Sequence, residues 1–408
     1  MTPLHGIRVL DLSRILAGPW ATQLLADLGA EVVKIERPGA GDDTRHWGPP
    51  WLADVDGQPS AESAYYLSCN RGKRSLAIDF TKAEGADLLR ALAAESHVLV
   101  ENYKVGGLAK YGLDYASLRA LNPRLVYCSI TGYGQTGPYA DRAGYDAAIQ
   151  AQGGLMSITG EPDGAPGGGP QKVGVAVADL MTGMYATTGI LAALRHAEAT
   201  GVGQHIDLAL LDTQVGWLAN QAMNYLVGGS VPQRHGSAHP NIVPYQVMPA
   251  ADGHFMLAVG NDAQFRRLCE ILGEPALASD ARYATNAARV SHRDQLIARL
   301  SSTLQTRPLA HWLDDLQAQG VPCAPVNHID QVFADPQVQA RGMRIALPHA
   351  LGNAVPLVAN PLRFSETPVE YTRAPPLLGG DTRALLRERL GLGDARIDEL
   401  LAAGVVGG

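Results

Sequence analysis

The chain has 408 residues, with 33 Lys+Arg against 40 Asp+Glu and a formal net charge of −7. At about 150 residues per domain this length makes two or three domains, with chain enough for a substantial core. A hydrophobic share of 46% and a charged share of 18% exclude wholesale disorder, and an acidic balance without a long Lys/Arg run argues against a nucleic-acid or anionic-membrane surface.

The first forty residues read as a βαβ unit. Residues 7–13 (IRVLDLS) form a buried strand, Pro19 suits the first turn of a helix, and the helix continues through WATQLLADL to Gly29. Residues 31–36 (EVVKIE) are the next strand. Residues 75–80 (SLAIDF) follow as a third, with Thr81-x-x-Glu84 as a capping box for a helix ending near Ser96. Residues 98–102 (VLVEN) and 125–130 (LVYCSI) are further short apolar strands. Strands alternating with helices imply an α/β fold whose mainly parallel sheet is covered on both faces.

Beyond Thr136-Gly137-Pro138 the texture changes. Residues 160–170 are a Gly/Pro loop, followed by a long apolar helix, a strand at 205–210 and a helix to about Val227. The loop at 228–244 marks a crossing into a smaller domain. That domain opens on a hairpin in YQVMPAADGHFMLAVG, turned at Asp252-Gly253, and continues in helices to about Gly320. The expected division is a large domain over 1–227, a small α+β domain over 228–325, and a segment over 326–408 that returns to the large domain.

Residues 173–194 (VGVAVADLMTGMYATTGILAAL) are long enough to span a bilayer and carry one charge, Asp179. Three glycines, three threonines and the lack of a second span favour a buried helix in a large soluble protein, so no membrane is expected. Cys69, Cys128, Cys269 and Cys323 are scattered without metal or redox spacing, which fits a reducing cytoplasm. The start, MTPLHGIRVLDLS, carries no signal-peptide pattern.

The first strand–helix junction has the outline of a nucleotide-binding unit, but G-x-G-x-x-G is absent, so NAD is not expected. A helix start there can still receive some other anion through its free N–H groups. Arg14 flanks this junction, Arg37 and Arg45 bracket the GAGDD loop, Arg71, Lys73 and Arg74 lie together in CNRGKRS, and Lys104 follows the fourth strand. Because ligands of open α/β sheets bind beyond the carboxyl ends of strands, Arg37, Lys104 and the neighbourhood of Arg71–Arg74 are expected to converge on a polyphosphate ligand with an adenine or pantetheine portion.

Asp179 is the sharpest single candidate for chemistry. It opens a helix, where the dipole and free N–H groups would hold a carboxylate ionised, and Gly174, Gly183 and Ala186 leave room for close approach. A carboxylate in an apolar, glycine-lined site suits attack on an activated acyl carbon. An aspartate that merely caps the helix accounts for the pattern as well. Neither a Ser-His-Asp elbow nor a set at metal-ligand spacing is present, so no metal is expected.

RILAGPWATQLLADLGAEVVKIERPGAGDDTR, NRGKRSLAIDF, VENYKVGGLAKYGLDY, SITGYGQTGPYADRAGYD and VGVAVADLMTGMYA, in this order, resemble the class III CoA-transferases, the CaiB/BaiF family. The likeness runs from Gly6 to the PLLG motif ending at Gly379, nearly the whole chain. The runs GAGDDTR-x-WGPP, CSITGYGQTGP and IVPYQ point within the family to a branch that moves CoA from succinyl-CoA to a small, glutarate-like dicarboxylic acid. The resemblance implies a Rossmann-like large domain built from both chain ends, a small middle domain, and two subunits interlocked as a homodimer. It also implies coenzyme A as the thioester substrate and Asp179 as the nucleophile, through a mixed anhydride and an aspartyl-CoA thioester.

Carried over by position, Ile15 and Ala17 match the backbone that lines the CoA and acyl site. Arg37, Lys73, Asn102, Tyr103, Lys104 and Lys110 match positions that bind CoA. Leu16, Tyr145 and Asp146 match the substrate pocket. The oxalate-using branch has glutamine where Leu16 stands, which disfavours oxalate or formate here. The racemases of the family, the alternative reading, carry a histidine base where this chain has Tyr145, and a phenol is a poor α-proton base at neutral pH. A dicarboxylate enclosed in the site needs a cation for its remote carboxylate. Arg14 and Arg45 are the candidates, with His239 in GSAHPN as a third.

Overall fold

Alternation within each short strand decides which layer each side chain enters. In the computed structural model, which describes residues 1–408, Val9, Val32, Val98, Val100, Val126, Cys128 and Ile130 point to one face of the central sheet. Leu10, Val33, Ile35, Leu76, Leu99 and Tyr127 point to the other. Both faces are buried, as expected for a parallel sheet between helical layers.

Seven strands form this sheet, in the order Val406–Gly407, Lys73–Ile78, Glu31–Glu36, Arg8–Asp11, Val98–Glu101, Val126–Thr131, His205–Ala209. All neighbours are parallel except the edge strand Val406–Gly407, which runs antiparallel to Lys73–Ile78. From Arg8–Asp11 the chain first builds outward on one side and then returns to build on the other. The reversal falls between Arg8–Asp11 and Val98–Glu101. Loops leaving these two strands diverge and open a crevice at their carboxyl ends.

One helical layer contains Ala83–Ala94, Thr382–Leu390 and Asp394–Ala402, so the chain's end packs against the sheet its beginning forms. The helix Ala83–Ala94 lacks the expected capping box: Lys82 precedes it without a side-chain cap, and Thr81 Oγ1 instead donates to Asp79 Oδ1 at 2.6 Å. The other layer contains Ala17–Asp27 and the long helix Val177–Thr200. These two helices touch at Gly183, where a Cβ would lie 2.7 Å from the carbonyl oxygen of Ala17 and 3.0 Å from the Trp20 ring. The room provided by Gly183 is therefore filled by the neighbouring helix rather than by a ligand.

Val177–Thr200 is long and apolar enough to cross a membrane by length and composition. Its inner stripe, including Ala178, Ala186, Ile190 and Ala193, belongs to the core just described. Met184 and Tyr185 on its outer side are about half exposed.

The chain forms two units. The first comprises 1–155, 173–223 and 336–408, and the second 156–172 and 224–335. The Gly/Pro loop thus belongs to the second unit: Gly236 N–H donates to the Gly160 carbonyl at 3.0 Å, and Arg234 Nε donates to that of Glu161 at 3.2 Å. Within the second unit, Tyr245–Pro249 and His254–Ala258 form the expected hairpin, and Cys323–Pro325 adds a third antiparallel strand. Phe255, Leu300 and Trp312 are buried in its core.

Candidate active site

A cavity of about 500 Å³ opens at the reversal point of the sheet. Its walls come from residues 14–17 after the first strand, Asn102, Tyr103, Lys104, Val105 and Gly107 after the fourth, and 130–132 after the fifth. Asp43, Trp47, residues 140–145 and Asp179 complete it.

Asp179 is the third residue of Val177–Thr200. The free N–H groups of that helix start do not serve its own carboxylate. Asp146 Oδ1 accepts from Ala178 N–H at 2.8 Å and from Asp179 N–H at 3.4 Å, so Asp146 caps the helix from a separate element. Gln150 Nε2 holds the other Asp146 oxygen at 2.6 Å, and Gln150 Oε1 accepts from Val173 N–H. The Asp179 side chain is left without a hydrogen bond, facing the cavity. Burial, and then the neighbouring Asp146 charge, push its carboxyl up to about 7. The expectation that the helix dipole keeps it readily ionised is overturned: Asp146 has taken that stabilisation. A desolvated, unpartnered carboxylate is a stronger nucleophile once deprotonated than one dressed in hydrogen bonds.

Tyr65, which sequence reasoning missed, stands in the same field. Burial, and then the Asp179 charge, push its phenol up to about 12. Its ring meets Trp47, which lines the cavity, edge-on at 5.1 Å and so backs that part of the wall. Tyr145 is exposed and lines the cavity beside Asp146, and Leu16 lines it with a buried side chain.

The cations divide sharply. Arg14 lines the cavity, pairs with Asp43 through Nη1 at 2.8 Å and lies 5.4 Å from the centre of the Tyr103 ring. Its Nε is buried and unpartnered. Lys104 is exposed at the wall with a free ammonium. Arg142, also missed, lines the cavity with its guanidinium 3.9 Å from the Tyr139 ring centre.

Arg45 is not available to a substrate. All five of its N–H donors are taken: Nε and Nη2 by Glu36, Nη1 by both oxygens of Glu62, and Nη2 again by the Pro376 carbonyl. Lys73 is likewise consumed in the interior by Asp11 at 3.1 Å, the Pro19 carbonyl at 2.9 Å and Asn70 at 2.8 Å, so it holds no phosphate. Arg71 is paired with Asp27, and Arg74 with Asp381 and Glu388. Arg71 precedes the strand Lys73–Ile78, and Lys73 and Arg74 open it, so all three sit toward its amino end, away from the crevice. Arg37 and Lys110 are exposed outside the cavity wall, Lys110 Nζ lying 4.9 Å from the Tyr111 ring centre.

Asn102 and Tyr103 reach the cavity, but the Asn102 amide is spent on the backbone of Arg14, accepting its N–H at 2.9 Å and donating to its carbonyl at 2.7 Å. Ile15 and Ala17 line the wall through the turn that this fixes. His239 belongs to the second unit, where Nδ1 accepts from Asn241 N–H and the ring lies against Tyr245. Burial and Arg293 hold its imidazole below the usual range, so it is neutral at pH 7 and a poor carboxylate partner.

The family model for CoA-transferase family III matches residues 4–382. The chain is similar to the succinate–glutarate CoA-transferase of Agrobacterium fabrum, 55% identical over 386 residues that cover 95% of each chain. It is 45% identical over 404 residues to the succinyl-CoA:glutarate CoA-transferase of Homo sapiens, covering 99% of this chain and 90% of that one. The crystal structure of a CaiB/BaiF family protein from Brucella suis, 51% identical, superposes with a TM-score of 0.83 over 95% of this chain and 99% of that one.

Proposed function

We propose, for a chain that belongs to the CoA-transferase family III, that it moves CoA from succinyl-CoA to glutarate or a similar dicarboxylic acid through an aspartyl-CoA thioester on Asp179. The observation that carries this reading is the Asp179 carboxylate, unpartnered at the wall of a cavity that the uncapped start of Ala17–Asp27 and the cations Arg14, Lys104 and Arg142 also line.

An Asp179 oxygen attacks the thioester carbon of succinyl-CoA; the C–S bond breaks and CoA leaves as thiolate, giving a mixed aspartyl–succinyl anhydride. The thiolate then attacks the aspartyl carbonyl and expels succinate, leaving an aspartyl-CoA thioester. A glutarate carboxylate attacks that carbonyl and expels thiolate to form the second anhydride. Thiolate attack on its glutaryl carbonyl releases glutaryl-CoA and restores Asp179. No net proton is consumed, so the site needs no general base.

Lys104, Arg142, Arg37 and Lys110 are the cations left free for CoA phosphates. Arg14 is the partner for the remote carboxylate: its guanidinium lines the cavity and Asp43 occupies only Nη1, so Nη2 remains for a charge-assisted contact. Two subunits interlock as a homodimer, a reading supported by the exposed apolar side chains of the Asp179 helix. Four free cysteines, three of them buried, fit a cytoplasmic setting.

The test is a panel of free acids assayed with succinyl-CoA. Glutarate is expected to exceed butyrate by about tenfold or more, the value of one charge-assisted contact. Asp179→Ala and Asp179→Asn should abolish transfer while CoA binding persists. Substantial turnover by Asp179→Ala sinks the mechanism, and equal use of butyrate sinks the dicarboxylate preference. Deuterium entering the α-carbon without transfer would favour a racemase instead.

A further inference from the structure

Ile15 has φ of +72°, one of two non-glycine residues in the chain with a positive value. A β-branched side chain avoids this region because its methyl groups crowd the backbone, so the surroundings must hold it there. Two side chains do so from opposite ends of the turn. The Asp42 carboxylate accepts the Ile15 N–H on Oδ1 at 3.2 Å. The Asn102 amide takes both the N–H and the carbonyl of the preceding residue, Arg14.

Asp42 is itself fixed. Its Oδ1 also accepts from the backbone N–H and hydroxyl of Thr44 at 3.0 and 2.8 Å, and its own N–H donates to Glu36. Its Oδ2 lies 2.8 Å from Lys34 Nζ, both side chains being fully buried, and Lys34 also donates to the Ser13 carbonyl. Burial would raise the Asp42 carboxyl, but Lys34 and the two Thr44 hydrogen bonds together outweigh it and hold the group at about 2, so it stays charged across the working range. A buried ion pair beneath the crevice is thus directed at one strained peptide in the cavity wall.

We propose that Asp42 and Asn102 are positioning residues for CoA transfer, clamping Ile15 in its left-handed conformation so that the 14–17 turn keeps the shape that forms the cavity wall beside Asp179. Relaxation of Ile15 to negative φ would rotate the peptides on either side of it. Both the Arg14 side chain and the uncapped first N–H groups of Ala17–Asp27 would then move, with no bond to substrate having been deleted. Asn102, expected from the resemblance to bind CoA, is assigned to the turn because its amide oxygen and amide nitrogen are both committed to the Arg14 backbone.

The proposal rests on the transferase reading, and a double-mutant cycle separates the two. Transfer from succinyl-CoA to glutarate is measured for the unmodified protein, Asp42→Ala, Ile15→Gly and the pair, each with its melting temperature. Glycine adopts positive φ without the steric penalty that Ile15 carries, so loss of Asp42 should cost about tenfold or more in kcat/KM in the Ile15 background and about threefold or less in the Ile15→Gly background. An equal penalty in both backgrounds, parallel to the loss of Tm, means that Asp42 supports only the fold and overturns the proposal. If Asp42→Ala does not fold, Asn102→Ala is carried through the same cycle: a penalty relieved by Ile15→Gly supports the clamp, and an equal penalty overturns it. Absence of transfer by the unmodified protein would instead count against the transferase reading.

Discussion

At the scale of single residues, the site turns on the charge of Asp179. The proposed attack requires the carboxylate, and burial together with Asp146 places its proton loss at about 7. kcat/KM should therefore fall about tenfold per pH unit below that value and level off above it. Asp146→Asn removes the like charge, so the inflection should move to lower pH. An acid limb that ignores this substitution, or a flat profile between pH 5 and 8, contradicts the assignment. The same shift links to stability. A carboxyl raised from 3.8 in the unfolded chain to about 7 in the folded one stabilises the fold fully below pH 4. That contribution is lost as pH rises through 7. Asp179→Asn should consequently raise Tm relative to the unmodified protein at pH 8 and lose that advantage near pH 4, with a gain on the order of 1–3 kcal/mol at the alkaline end. The Asp179 carboxylate is thus held at some expense to the fold, the cost expected of the proposed nucleophile.

At the scale of elements, Gly183 couples the Asp179 helix to the helix that begins in the cavity wall. A Cβ there would lie 2.7 Å from a backbone carbonyl, which cannot swing aside as a flexible side chain would. Gly183→Ala should cost about 1–3 kcal/mol through overpacking, read as a lower denaturation midpoint at unchanged m. It should also lower kcat, because Asp179 lies one turn away on the same helix. Unchanged stability would mean the two helices slide freely. The strands were legible in the sequence because both faces of a parallel sheet are buried, and runs such as EVVKIE and VLVEN show it. Asp179 was legible as the lone charge in an apolar helix. What stayed hidden depends on partners far along the chain. CNRGKRS reads as a free basic patch, yet its three cations find Asp27, Asp11 and Asp381. Arg45 is absorbed by Glu36 and Glu62 in the same way. The cap that Asp146 places on the Asp179 helix joins residues 32 apart, and no local spacing rule signals it.

At the scale of the whole molecule, the apolar surface left on one chain sets the last expectation. Val175, Met184 and Tyr185 on and before the Asp179 helix, with Val215, Trp217 and Met223 nearby in sequence, are each more than a third exposed in the first unit. Scattered apolar residues at a surface are ordinary, but these six, with Val202 also exposed between them, within fifty residues of an acidic protein call for a cover. The same helix passes a length-and-composition test for a membrane span, yet its inner stripe is committed to the sheet. A second copy of the chain can cover the outer side without disturbing that core. Sedimentation should give twice the 43.2 kDa chain mass, and Tyr185→Glu, which puts a charge into the covered face, should weaken association. Interlocking makes a stricter demand than dimerisation. Chains linked through one another cannot separate while both are folded, whereas two subunits meeting face to face exchange by dissociation. Tagged and untagged dimers mixed under native conditions should therefore give no hybrids over many hours. The same proteins unfolded together and refolded should give hybrids in statistical proportion. Rapid native exchange would leave an ordinary interface in place of the link, and a 43.2 kDa species at assay concentration would remove the dimer altogether.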